Sequence, residues 1–174
     1  MFILIVRHGL AGKRDSLKFP EDDLRPLTPK GRKSFAKAAW GLPAAVALGG
    51  MGPEPRAVFS SPVLRAMETA EILAKAMGLG RKSVITVPTL SHTFSARATL
   101  TGLSRLKLPT SFAVVGHEPN LGELLSLLLS GTSKAGTPLE KGSACLVEAG
   151  APVPGAGRLV WSMTQEQLAA FRNA

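Results

Sequence analysis

The tripeptide Arg7-His8-Gly9 carries the first candidate chemistry in this sequence, and it follows directly on a run of bulky side chains, Phe2 to Val6. That run is too short for a helix and has no 3.6-residue period, so it predicts a buried strand. Arg7 and His8 then lie at the carboxyl end of the strand, where open α/β sheets bind their ligands. An imidazole beside a guanidinium can act there as a nucleophile next to a clamp for an oxyanion. Three residues recur by chance, so the hypothesis depends on further arginine and histidine at the same edge.

Two later segments repeat this arrangement of a strand that ends in polar or basic side chains. Ala57 to Phe59 predict a second strand, followed by Ser60-Ser61 and then by Arg65, one turn into the next predicted helix. Phe112 to Val115 predict a fourth strand, which runs straight into Gly116-His117. Two histidines and two arginines around one crevice predict a pocket for a dianion, because the guanidinium fork matches phosphate oxygens and stays charged.

The remaining segments alternate between strand and helix patterns. The predicted helices run from Thr28-Pro29 to Gly41 and Pro43, from Ser61-Pro62 to Met77, loosely within Phe94–Leu106, over Leu121–Ser130 and from Thr164 onward. The stretch Ala44–Pro55 is predicted to be either a short apolar helix or a loop. The predicted strands not yet named are Val84–Val87 and a hairpin of Ala144–Glu148 with Arg158–Met163. This order predicts an α/β fold with a mainly parallel central sheet, helices on both faces and antiparallel strands near the C-terminus.

The residue types at the helix starts predict how each helix is capped. The expected N-caps are Thr28, Ser61, Asn120 in a capping box with Glu123, and Thr164 with Gln167. The first long helix is expected to bury one apolar face made of Phe35, Ala36, Ala39 and Trp40.

The composition limits the class of protein. With 174 residues, the chain is predicted to form one domain over residues 1–174. Its one cysteine allows no intrachain disulfide, and no stretch resembles a signal peptide or a membrane span, so we expect a cytoplasmic protein without membrane contact. The net charge of +9 is scattered, and with no Tyr and two Trp to stack on bases, nucleic-acid binding is disfavoured. A positive field that attracts a phosphorylated substrate explains the same charge.

Three segments together resemble the signature segments of the histidine phosphatase superfamily, which has a phosphoglycerate mutase-like fold. They are Arg7-His8-Gly9, Ser60–Ala66 with Glu68-Thr69-Ala70, and Gly116–Asn120. Within the superfamily, the short length, Leu27–Gly31 and Lys141–Ala144 are similar to the compact bacterial phosphohistidine phosphatases of the SixA type. The resemblance extends from residue 2 to about residue 165.

The resemblance implies a role for each matching residue. His8 is the expected nucleophile, attacking phosphorus through a neutral ring nitrogen to form a covalent phosphohistidine, which an ordinary histidine pKa of about 6.5 allows. Arg7 and Arg65 are expected to clamp the non-bridging oxygens, and His117 to donate to one of them. No metal or other cofactor is implied. The further candidates for substrate contact are Gly9, Ser61 (more simply a helix cap), Glu118 and His92.

One departure from the superfamily bears on the substrate. Mutases and many alkyl-phosphatases place a Glu just after the third strand to protonate the leaving oxygen, whereas Pro88–Thr93 contains no carboxylate. An alkoxide needs that proton, but an imidazole leaves readily once its ring is protonated, so phosphohistidine on a protein partner is the favoured substrate. Glu118 or His92 can substitute for the acid, which keeps a small phosphorylated metabolite as an alternative. A non-catalytic module that binds phosphate or nucleic acid is the third interpretation.

Overall fold

A computed structural model describes residues 1–15, 17–47 and 54–171 of the chain. The strands are β1 (Phe2–Arg7), β2 (Val58–Ser60), β3 (Val84–Thr86), β4 (Ser111–Gly116), β5 (Ala144–Ala149) and β6 (Gly157–Met163). The helices are α1 (Pro29–Ala47), α2 (Leu64–Ala76), α3 (Ala96–Ser104), α4 (Asn120–Ser130) and α5 (Gln165–Ala170).

The six strands form one sheet in the order β3-β2-β4-β1-β5-β6. The first four strands pair in parallel, and β5 and β6 add antiparallel to the edge of β1. This arrangement confirms the predicted α/β class, including the antiparallel strands near the C-terminus. No helix within the described ranges has the length and apolar character needed to cross a membrane.

Alternate side chains of β1 enter two separate hydrophobic layers. Leu4 and Val6 pack with buried residues of α1 and α2, while Ile3 and Ile5 pack with those of α3 and α4. All four side chains are almost fully buried, and each such burial stabilises the fold by about 1.5–3 kcal/mol. The central strands are therefore covered by helices on both faces, which leaves the strand ends as the part of the sheet that can meet a ligand.

The helix α1 continues past the point where its end was predicted. It runs through Gly41 and Pro43 to Ala47, so the first part of the stretch predicted as helix or loop is helical; residues 48–53 lie outside the described part of the chain. A proline inside a helix costs about 3 kcal/mol. Burial of Val46, beyond the proline, offsets that cost. Trp40, expected on the buried face, is instead 50% exposed.

Two predicted helix caps are confirmed. Thr28 Oγ1 accepts a hydrogen bond from Gly31 N at 2.8 Å at the start of α1. Thr164 and Gln167 form a complete capping box at the start of α5. Gly31 also lies against the backbone of Leu10, where a Cβ atom would meet the Leu10 carbonyl. This close approach at Gly31 packs the start of α1 against the segment that follows Gly9.

The other two predicted caps are wrong. The helix α2 begins after Val63, and Ser61 Oγ lies 2.9 Å from a ring nitrogen of His117. The side chain of Asn120, itself the first residue of α4, donates to Phe94 O at 2.6 Å and accepts from Thr99. Both polar side chains are buried, and a buried polar group must find its partner within the fold. Tertiary hydrogen bonds therefore replace the local caps.

Candidate active site

The carboxyl ends of β1, β2 and β4 form one edge of the sheet, because these strands are parallel and adjacent. Arg7 is in register with Gly116, so His8 and His117 follow neighbouring strands side by side. Their ring centroids are 5.0 Å apart. His8 N donates to Gly116 O at 3.1 Å, which ties the two strand ends together beyond the ladder. The pairing of β1 with β4 thus brings the two histidines of the sequence motifs into contact.

The environment of His8 determines both its tautomer and its charge. Nδ1 lies 2.7 Å from the carbonyl oxygen of Gly9, which can only accept, so Nδ1 carries the proton and Nε2 keeps its lone pair. Burial lowers the pKa of His8 to about 4, with further lowering by the charges of Arg65 and Arg7. The ring is therefore neutral near pH 7, with a basic nitrogen available at Nε2.

The ring of His117 is neutral as well, and it forms a hydrogen bond with Ser61. Ser61 Oγ accepts a hydrogen bond from Val63 N at 3.3 Å and lies 2.9 Å from His117 Nε2, so its own proton is free to be donated to that nitrogen. With Ser61 as the donor of that hydrogen bond, the ring proton of His117 lies on Nδ1, which has no partner among the described residues. Burial, followed by the neighbouring His8 ring and the charge of Arg65, lowers the pKa of His117 to about 2. His117 is thus a neutral ring with an N–H to donate.

The guanidiniums of Arg7 and Arg65 are each anchored through their terminal nitrogens. Arg7 Nη1 donates to Leu139 O at 2.6 Å. Arg65 Nη1 donates to Asp22 O at 2.9 Å, and its Nη2 lies 3.3 Å from the Asp22 carboxylate. Burial lowers the pKa of both guanidiniums, while nearby carboxylates oppose that shift. Two preorganised cations therefore border the pair of neutral imidazoles.

Unpaired buried donors are concentrated at this edge of the sheet. Among the described residues, the buried side-chain nitrogens without a hydrogen-bond partner include Arg7 Nε, Arg65 Nε and His117 Nδ1. A buried donor that stays unpaired costs about 1–3 kcal/mol, and a bound oxyanion removes that cost. The site is thus arranged to receive an anion. The same residues include no group of three or more His, Cys, Asp or Glu suited to hold a metal ion.

Asp22 is a part of this site that the sequence reasoning missed. It lies in a single 3-10 turn, Asp22–Leu24, and its carboxylate is within 3.4 Å of Arg14, 2.9 Å of Arg25 and 3.3 Å of Arg65. Partial burial by itself raises the pKa of Asp22, but the hydrogen bond from Arg25 and the three positive charges together lower it. In the sequence, Asp22 is one of three consecutive acidic residues in a mixed-charge loop, and nothing in that pattern distinguishes it from its neighbours.

Thr69 was also missed, although it stands in one of the recognised segments. Gly9 N donates to Thr69 Oγ1 at 3.1 Å, and Thr69 Oγ1 donates to Arg65 O at 2.7 Å. The amide of Gly9, a candidate for substrate contact, is therefore occupied by a side chain of α2. This pair of hydrogen bonds joins the segment after β1 to the helix that carries Arg65.

The two candidate acids lie in different parts of the site. Glu118 Oε1 accepts from Leu139 N at 3.0 Å, and the carbonyl of Leu139 in turn receives Arg7. Burial raises the pKa of Glu118, although the hydrogen bond from Leu139 and the charge of Arg7 oppose the rise. The His92 ring stands edge-on to His117, with centroids 5.5 Å apart and an interplanar angle of 77°. Glu118 thus holds the anchor of Arg7, whereas His92 continues the row of imidazoles.

Comparisons with known proteins agree with the fold and the motifs. The family model of the histidine phosphatase superfamily (branch 1) matches residues 3–93. An uncharacterised protein of Picosynechococcus sp. is 32% identical over 153 residues, which is 87% of each chain. The chain belongs to the histidine phosphatase superfamily.

Solved structures place it more closely within that superfamily. The protein histidine phosphatase SixA, complexed with tungstate, is 26% identical and has a TM-score of 0.74, with 97% of this chain and 99% of that chain covered. A mycobacterial glucosyl-3-phosphoglycerate phosphatase with inorganic phosphate, at 16% identity and a TM-score of 0.63 over 95% and 98% of the two chains, shares the fold. The predicted resemblance to the SixA type is confirmed, and the similarities support phosphatase activity.

Proposed function

We propose that this chain is a metal-independent phosphatase that removes the phosphoryl group from phosphohistidine on a protein partner, through a covalent intermediate at His8. The observation that carries the proposal is the state of His8, whose Nδ1 faces the Gly9 carbonyl, so that Nε2 of the neutral ring is the nitrogen with a free lone pair. Arg7 and Arg65 supply the positive charge that a phosphoryl dianion requires. A cytoplasmic setting stays part of the proposal.

The reaction proceeds in two steps. In the first, the Nε2 lone pair of His8 forms a bond to phosphorus while the bond from phosphorus to the substrate's leaving atom breaks, and that atom takes up a proton. In the second, water attacks phosphorus, the bond to Nε2 breaks, and inorganic phosphate leaves with one water proton released. Arg7 and Arg65 balance the charge on the non-bridging oxygens, and His117 donates from Nδ1 to one of them.

Two features support phosphohistidine as the substrate. The segment after β3, from Pro88 to Thr93, carries no carboxylate to protonate an alkoxide, whereas imidazole leaves readily once its ring is protonated. The structurally similar protein that shares 26% of its residues is a protein histidine phosphatase. A small alkyl phosphate is the second candidate substrate, and the position of His92 beside His117 favours it.

The test is the release of inorganic phosphate from a phosphohistidine protein, compared with release from a set of alkyl and sugar phosphates, in the presence of a chelator. Wild type and His8→Ala are measured together, and the phosphorylated residue is trapped by rapid quenching and located by mass spectrometry. We expect turnover of phosphohistidine, a phosphoryl group on His8 alone, and a loss of about a thousandfold or more in the variant.

Three outcomes would change this conclusion. Retained turnover in His8→Ala, with an unchanged melting temperature, would exclude His8 as the nucleophile. Faster turnover of alkyl phosphates than of phosphohistidine would transfer the assignment to small phosphorylated molecules. Phosphate affinity without any turnover would show a binding module.

A further inference from the structure

The chain has three histidines, and the structure brings all three together. His8 and His117 are in contact at 5.0 Å, and His92 stands edge-on to His117 at 5.5 Å. They come from three separate segments, which follow β1, β4 and β3. The first two have roles in the proposed reaction, but the third has none. A third imidazole in this row therefore needs its own explanation.

The proposed reaction lacks one group, the donor of the proton that the leaving atom takes up. The neighbouring groups are already committed. The pKa of His117 is lowered to about 2, so its ring has no proton to give beyond the hydrogen bond it donates. Asp22 is clamped by guanidiniums that lower its pKa, and Glu118 accepts from the amide of Leu139. Among the described residues, His92 is the further titratable side chain whose ring packs on His117, the neighbour of His8.

The surroundings of His92 suit a proton donor. Its side chain is 32% exposed, so the ring can exchange protons with water between turnovers. Its Nδ1 lies 3.9 Å from an oxygen of the Asp23 carboxylate, and no described residue hydrogen-bonds to that nitrogen. A carboxylate at this distance orients the ring so that Nδ1 faces Asp23. With Nδ1 turned towards Asp23, Nε2 is the nitrogen left to meet the substrate.

We propose that His92, positioned by Asp23, is the catalytic acid of this phosphatase and extends its substrates to alkyl phosphates. The proposal rests on the proposed function, since it needs His8 as nucleophile. In the first step, the Nε2 proton of His92 moves to the leaving oxygen as the P–O bond breaks, and an alcohol departs. In the second, His92 Nε2 takes a proton from the attacking water as the water oxygen bonds to phosphorus and the bond to His8 breaks. Protons balance over the cycle.

The inference predicts an effect that depends on the leaving group. An alkoxide is a poor leaving group and needs the proton, whereas p-nitrophenolate departs as a stable anion. His92→Ala should therefore lower kcat for glycerol phosphate by about a hundredfold or more, which is the usual contribution of general acid catalysis. Turnover of p-nitrophenyl phosphate should stay within about fivefold of wild type, and KM should change little for either substrate. Asp23→Asn should show the same preference with a smaller loss, of about tenfold.

The experiment measures kcat and KM for glycerol phosphate and p-nitrophenyl phosphate in wild type, His92→Ala, Asp23→Asn, His8→Ala and the control Thr93→Ala. Thr93 is the exposed neighbour of His92, and its hydroxyl donates a hydrogen bond to Ser91 Oγ at 3.4 Å. Thr93→Ala should equal wild type. Added imidazole should restore glycerol phosphate turnover in His92→Ala, which a purely structural role of the ring would not allow.

Each contrary result has a distinct meaning. Equal losses on both substrates in His92→Ala, or no loss on either, would overturn the assignment of His92 as acid. Wild type that turns over p-nitrophenyl phosphate but not glycerol phosphate would overturn it as well, while the role of His8 would stand. Unchanged turnover in His8→Ala would instead overturn the proposed function on which the inference rests.

Discussion

The strand ends and the segment from Gly12 to Arg25 both border the site, and different forces hold them in place. At the strand ends the main chain does the positioning, since His8 N donates to Gly116 O and the strands below are paired along their length. All six residues of β4 are buried. The candidate site residues at this edge are therefore placed by backbone pairing and apolar packing.

The segment from Gly12 to Arg25 is held mainly by charged side chains. Arg25 donates to Gly12 O at 2.5 Å and pairs with the Asp22 carboxylate at 2.9 Å. Leu17 and Leu24 are 95% and 59% exposed, so little apolar burial stabilises this segment. Ion pairs near the surface contribute about 0–1 kcal/mol each. The comparison shows strand ends held by the backbone, which carry the two histidines in contact, and a segment held by charges, which places the Asp22 carboxylate beside Arg65.

The largest expected effect comes from replacing Arg65, which lies in the first turn of α2. Arg65→Gln removes a buried guanidinium that is proposed to bind the phosphoryl oxygens, and we expect turnover to fall by about a thousandfold, as for the loss of a preorganised donor. The matched control is Arg32→Gln, which removes an arginine whose side chain is 50% exposed and pairs with Glu68. Steady-state kinetics should show less than a twofold change in the control. A loss below tenfold in Arg65→Gln would mean that Arg65 chiefly anchors Asp22.

The next effect in size is the dependence of stability on pH that the buried imidazoles of His8 and His117 predict. The pKa values of His8 and His117 are lowered to about 4 and about 2 in the folded chain, whereas both are near 6.5 in the unfolded chain. Between these values the unfolded chain binds protons and the folded chain does not. This stability is fully present above pH 6.5 and is lost as the pH falls. Urea unfolding at pH 6.5 and pH 5 should show a loss of about 3 kcal/mol.

His117→Gln is the matched variant for the pH experiment. It removes one of the two buried rings, so the dependence of the unfolding free energy on pH should fall by about half. A variant with the same dependence as wild type would assign the acid sensitivity to carboxylates instead.

The smallest expected effect comes from the segment from Gly12 to Arg25. Asp22→Asn removes the carboxylate shared by three guanidiniums but keeps the backbone oxygen that receives Arg65. We expect inorganic phosphate to inhibit severalfold more strongly, a change of about 1 kcal/mol, because less negative charge opposes the anion. The control Glu21→Gln removes an exposed charge from the same segment and should leave inhibition unchanged. Weaker inhibition in Asp22→Asn would show that holding Arg65 in place is its main contribution.

Much of the structure at the strand ends could be predicted from local sequence patterns. The apolar run before Arg7 and the one before Gly116 are short and dense enough to predict buried strands, and each ends where the structure ends it within a residue. Three motifs placed His8, Arg65 and His117 at strand ends or in the following turn. The roles of these residues in the reaction stay predictions, although the structure brings them together.

The supporting contacts could not be predicted in the same way. Asp22 and Leu139 meet the guanidiniums of Arg65 and Arg7 across separations of 43 and 132 residues. Asn120 has the residue type of a local cap, but its buried side chain binds Phe94 and Thr99 instead. A propensity describes what a residue does when its neighbours in sequence are its only partners.

The sequence by itself determined the strands, their order along the chain and the chemical groups that follow them, because short apolar runs and motif spacing are local properties. The tertiary structure decided which strands are neighbours, and therefore that His8 touches His117 and that His92 completes the row. It also decided the charge of these rings, since burial rather than residue type lowers the pKa values of His8 and His117. Desolvation depends on everything packed around a group, and that packing exists only in the folded chain.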